Sequence, residues 1–188
     1  MSSPTSVDAR VGTTTAVAPK ELHTYHLNPR RGDVSAIAAS LRTHGQYKPI
    51  TVNIGTFTGR RNEVLAGNHT LMAFRDLAES DPDGFDRIKV HWVDVDDDTA
   101  ARIVAVDNRT SELGTVDTDT LLELLEGLGD DLAGTGYDQD YLTMLNELAA
   151  GAPSLDDLAD AHGDPEPDDH HDSVRLSLDP EIARRWTL

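Results

Sequence analysis

The chain has 188 residues, of which only 5% are aromatic and none is cysteine, so any core is aliphatic and disulfides, thiolate metal sites and a cysteine nucleophile are excluded. Its formal net charge of −18 is unevenly placed: residues 23–114 hold 11 Lys/Arg against 13 Asp/Glu, whereas residues 115–188 hold 3 against 19. So acidic a chain is a poor stand-alone binder of duplex DNA, because counterion release needs a basic surface. The acidic part reads as a solvated face or a surface for a basic partner.

In chain order, residues 1–20 read as a disordered leader rich in Ser, Thr and Ala, with no apolar run that would make a signal peptide. No stretch approaches 18 apolar residues, so the expectation is a cytoplasmic protein with no membrane partner. A strand over Leu22–Leu27 is stopped by Asn28-Pro29-Arg30-Arg31-Gly32. Asp33 then stands as an N-cap before Val34, Ile37, Ala38 and Leu41, whose spacing predicts an amphipathic helix ended by Gly45. Pro49–Ile54 alternates as a strand, and Arg61–Ala66 forms its hairpin partner. Gly67 breaks that strand, and a helix is predicted over Asn68–Ser80. A further strand covers Ile88–Val95, followed by a helix from Asp96 to about Asn108 with Asn108 as a candidate C-cap.

The pattern is purely helical after Gly114. Helices are predicted over Thr118–Leu128 and Tyr137–Ala149, with a short one over Leu155–Ala161. Gly163–Asp172 is an acidic linker, whose His170 and His171 with nearby His162 form a weak metal candidate. Val174–Leu178 alternates as a strand, and Asp179-Pro180-Glu181 opens a helix that stops within a turn. That element reads as one that pairs with another chain, as in a homodimer, or as a chain cut short. The expected organisation is a leader (1–20), an α+β domain (21–114), a helical segment (115–162), a linker (163–172) and a terminal element (173–188).

The chemistry concentrates at Val64-Leu65-Ala66-Gly67-Asn68-His69-Thr70-Leu71. A strand ends, a glycine permits close backbone approach, and a helix begins with free N–H groups and the positive end of its dipole. Such a turn holds a phosphate or another anion. His69 and Thr70 stand in the same turn as side-chain donors.

The ordered series Asn28-Pro29-Arg30, Ala36–Leu41, Gly45–Val52, Leu65–His69 and Asp107-Asn108-Arg109 resembles the N-terminal domain of the ParB family, which shares its fold with sulfiredoxin. The resemblance spans about 95 of the 188 residues. It implies an α+β fold, a small mixed sheet with packed helices, followed here by a helical C-terminal segment. It also implies a nucleotide pocket: ParB proteins bind CTP with Mg²⁺ and switch a DNA clamp, sulfiredoxin uses ATP, and serine-kinase relatives move a phosphoryl group.

Carried over by position, Gly45-x-x-Lys48-Pro49 resembles the family's Gly-x-x-Gln-Pro stretch beside the nucleotide. Gly67-Asn68-His69-Thr70 stands where ParB has Gly-Glu-Arg-Arg and sulfiredoxin has Gly-Cys-His-Arg. Asn68 in place of the cysteine rules out sulfiredoxin activity. Asp107-Asn108 resembles the Glu-Asn pair whose Asn helps hold the metal, while Thr110 and Ser111 replace the Gln and Arg that follow. The missing arginines remove bidentate phosphate clamps. The resemblance thus implies a nucleotide site of Arg30, Gly45, Lys48, Pro49, Gly67, Asn68, His69, Thr70 and Asn108, with Asn108 also the metal candidate.

Three functions remain open from the sequence. One is a CTP-like nucleotide-binding, DNA-partition or phage-type accessory factor, which would touch DNA only through a partner because residues 115–150 carry no Lys or Arg. Another is a phosphotransferase, weak NTPase or ParB-like nuclease with His69, Glu63 and Asp107 as catalytic candidates. The last is an interaction module without a ligand.

Overall fold

The computed structural model describes residues 8–150 and 160. The chain divides into one compact unit through Ala150 and another from Gly151, and the description concerns the first. Asp160 apart, the elements read over Leu155–Ala161, the linker 163–172 and the terminal strand and helix lie outside the described residues, as do His162, His170 and His171.

Five strands form one mixed sheet: β1 (Thr14–Val17), β2 (His23–Thr24), β3 (Ile50–Asn53), β4 (Glu63–Ala66) and β5 (Ile88–Val93). Their spatial order is β1-β5-β3-β4-β2. β1 and β5 are antiparallel, as are the hairpin strands β3 and β4, while β3–β5 and β2–β4 are parallel. Alternation along the strands sorts side chains between two faces. Ile50, Val52, Val64, Ile88, Val90 and Trp92 pack with Leu71, Phe74 and Leu77 of α2 (Asn68–Ser80) and with Ala38 and Leu41 of α1 (Val34–His44). A smaller cluster joins Leu65 and Tyr25 to Ala100 and Val104 of α3 (Asp97–Leu113). α4 (Thr118–Leu128) and α5 (Gln139–Ala150) have a cluster of their own around Leu125, Leu132 and Leu145. This is the expected mixed sheet with packed helices and a helical segment after it. Among the described residues no helix is long and apolar enough to cross a membrane.

The helix punctuation works as the sequence implies. The carboxylates of Asp33, Asp96 and Asp117 accept from the main-chain N–H groups of Ala36, Thr99 and Thr120, capping α1, α3 and α4. Bonding to Ser35 and Ala36 holds the Asp33 carboxyl below the ordinary carboxylate value, and Asp96 and Asp117 are lowered by their bonds to Thr99 and Thr120.

Several expectations are corrected. The stretch read as a disordered leader contains β1, an edge strand whose residues are mostly exposed and therefore show no apolar alternation. It is held by its ladder with β5 and by the indole Nε1 of Trp92 donating to Thr15 Oγ1 at 2.7 Å. The strand over Leu22–Leu27 shrinks to two residues, because the next N–H groups are diverted to side chains: Tyr25 donates to Asn68 Oδ1 and His26 to Glu63 Oε1. At the end of β5 the buried amide of Asn53 replaces a ladder rung, exchanging two bonds with the main chain of Val95. α3 runs past Asn108 to Leu113, since no glycine or proline intervenes before Gly114. Asn108 is thus interior to the helix and not its cap, and its Nδ2 donates back to the Val104 carbonyl at 3.0 Å.

Candidate functional site

The turn from β4 into α2 is built on Gly67, whose φ of +94° places it in the left-handed region. A β-carbon there would lie 2.4 Å from Ile50 Cγ2, so glycine is required both by conformation and by the strand packed against it. α2 also differs from its neighbours in having no side-chain N-cap. Among the described residues no side chain accepts from the main-chain N–H groups of Asn68, His69 or Thr70, and the positive end of the helix stays open.

A cavity of about 700 Å³ opens beside those amides. Arg30, Gly45, Lys48, Pro49, Gly67, Asn68, His69, Thr70 and Asn108 all line it, as does Asp107. Segments spread over about 80 residues of chain therefore converge on one hollow. Asn28, Asp33, Gln46, Tyr47, Thr51 and Ser111, none of them among the site residues that the resemblance implies, line it too. Tyr47 had a sequence signal, an aromatic inside the Gly45–Pro49 stretch and outside any apolar alternation.

The roles of individual side chains are specific. His69 Nε2 accepts from the Gly32 N–H at 2.9 Å, which places the ring proton on Nδ1 and leaves Nδ1–H as the donor it can offer. The Asn68 amide is buried, 6% exposed, and spoken for at both ends. Its Oδ1 accepts from Tyr25 N at 2.7 Å, and its Nδ2 donates to the Val64 carbonyl at 3.2 Å. What Asn68 offers a ligand is its main-chain N–H. With its Nδ2 turned toward Val104, Asn108 keeps Oδ1 as a free oxygen, and Asp107 lines the same cavity. Arg30 and Lys48 supply exposed cationic groups at the rim. Among the described residues no group of three or more His, Asp or Glu is placed to hold a metal by itself.

Glu63 does not belong to the site. Its carboxylate is 2% exposed, pairs with His26 Nδ1 at 2.8 Å and accepts from Arg60 Nε at 3.1 Å. Arg60 continues to Asp97 at the start of α3. None of the four residues lines the cavity, so Glu63 braces the sheet edge against α3 and stands outside the cavity at the β4–α2 turn. Glu63→Gln should lower stability by about 1–2 kcal/mol in urea denaturation, because an amide cannot replace both acceptor oxygens in a buried network.

The sequence matches no protein-family model and no curated protein. Solved structures do match. A C-terminally truncated chromosome-partitioning ParB from Caulobacter crescentus, complexed with CTP-γ-S, superposes with a TM-score of 0.50 at 18% identity. The alignment covers 62% of this chain and 63% of that one. The fold is ParB-like. A Pnob8-like ParB-N domain is more distant, with a TM-score of 0.41 at 20% identity over 63% of this chain and 45% of that one.

Proposed function

We propose that this ParB-like chain is a cytoplasmic nucleotide-binding accessory protein of the DNA-partition or phage type, which reaches DNA through another chain. One observation carries the reading: the N-terminal amides of α2 stand uncapped against a cavity of about 700 Å³ that also gathers Arg30, Lys48 and the His69 donor. The Caulobacter structure, complexed with CTP-γ-S, makes CTP the first nucleotide to try. Asp107 and Asn108 supply the hard oxygen donors that Mg²⁺ takes, and would hold it together with phosphate oxygens. DNA contact through a partner fits α4 and α5, which contain no Lys or Arg.

The test is thermal melting of the full chain with CTP, ATP, GTP or UTP and Mg²⁺. A ligand bound only to the folded state raises the transition by mass action, so at least one nucleotide should give a saturable rise. No shift with any of them overturns the reading. Thr70→Glu separates site from fold. A carboxylate in the first turn suits the helix dipole, so melting without ligand should be kept or raised. The same charge repels phosphate, and nucleotide affinity should fall at least tenfold.

A further inference from the structure

The turn Gly45–Pro49 forms one rim of the cavity, and Gln46 pins it to β5. Its Nε2 donates to the carbonyls of Lys48 at 3.1 Å and Lys89 at 2.9 Å, while its Oε1 accepts from Lys89 N at 2.6 Å. Lys89 Nζ closes the arrangement on the Gln46 carbonyl at 3.1 Å. The main chain on both sides of Tyr47 is therefore anchored.

Tyr47 itself is 82% exposed, the most exposed large apolar side chain among the described residues. It lines the cavity, yet it enters none of the aromatic pairs and none of the hydrogen bonds of the described residues. A rigid turn thus displays a ring that contributes nothing to the core. Its reach is limited: Ile50 abuts Gly67, and the three residues from Tyr47 to Ile50 span at most about 10 Å of extended chain. The base of a nucleotide whose phosphates lie at the α2 N-terminus is thus within reach of the Tyr47 ring.

We infer that Tyr47 stacks on the base of a nucleotide whose phosphates lie at the α2 N-terminus, so that the cavity selects its ligand by an aromatic base as well as by charge. This rests on the nucleotide reading above. Stacking of a base on an aromatic side chain is worth roughly fivefold to a hundredfold in affinity. It tolerates any base, so the preference among bases lies elsewhere in the cavity.

Calorimetric titration of the full chain with each of the four nucleoside triphosphates and with inorganic triphosphate, all with Mg²⁺, tests this directly. The two ligand types share the polyphosphate and differ in the base. The best nucleotide should bind at least about fivefold tighter than inorganic triphosphate. Tyr47→Ala should weaken the best nucleotide at least fivefold while inorganic triphosphate stays within twofold of its value on the unaltered chain, and Tyr47→Phe should keep most of the affinity because stacking uses the ring. Equal binding of both ligand types by the unaltered chain, or a Tyr47→Ala variant that retains the full preference, overturns the inference and leaves the phosphate site standing. Binding of neither ligand type removes the nucleotide reading and this inference together.

Discussion

Gly67→Val should destabilise the fold by about 2–6 kcal/mol in the absence of any ligand. Two independent terms add. The first is conformational: a φ of +94° lies where a β-branched residue is strained by roughly 1–3 kcal/mol. The second is steric: the new β-carbon would fall 2.4 Å from Ile50 Cγ2 and 2.9 Å from Ile50 Cβ. Ile50 is buried in the main core and cannot retreat, and overpacking of that kind costs about 1–3 kcal/mol. For a chain of this size the transition should drop by roughly 5–20 °C, read by circular dichroism. Gly67→Ala meets the same φ and the same β-carbon position, so it should show a smaller loss of the same sign. A Gly67→Val protein melting within about 2 °C of the parent would mean that β4 and α2 do not meet as described. Because this substitution attacks the fold first, lost nucleotide binding in it says little about the site. Thr70→Glu, which leaves the turn intact, is the functional test.

How much of this was readable beforehand follows from where each element keeps its determinants. α1 lies between its own Asp33 cap and Gly45 stop, and α2 and α4 likewise carry their boundaries locally, so their spans emerge from spacing alone. β1 does not. Its residues face water, and its attachment runs through Trp92, 77 positions from Thr15. The shortened ends of β2 and β5 have the same origin: Asn68, Glu63 and Asn53 capture main-chain groups 37 to 43 residues away, which no local periodicity encodes. The site divides the same way. The turn from β4 into α2 was legible because Gly67 marks the strand–glycine–helix junction locally. Glu63 reads from the sequence as a catalytic candidate, and only the folded contacts to His26 and Arg60 show that its carboxylate is occupied. Asn68 was legible as a substitution but not as a brace. Tyr47 was hidden among residues read for their charge.

Trp92→Ala should cost about 5–7 kcal/mol, a large share of the 5–15 kcal/mol that holds an ordinary domain together. Trp92 is 2% exposed and sits on β5 between β1 and β3, so truncation removes a buried indole, worth about 3–5 kcal/mol. It also removes the hydrogen bond to Thr15 Oγ1 and the stacked Arg10 guanidinium, 4.7 Å from the ring centroid. Each adds about 1 kcal/mol. The two effects should separate in limited proteolysis. Loss of the core appears as a lower urea midpoint, whereas release of the edge strand appears as faster tryptic cleavage after Arg10 under native conditions. Thr15→Val isolates the second: it keeps the ring buried, leaves the indole N–H without its partner, and should cost about 1 kcal/mol with a matching rise in cleavage after Arg10. If Trp92→Ala lost stability while cleavage after Arg10 was already as fast in the parent, β1 would not be held by the indole. The first twenty residues would then be the loose leader that their composition suggests.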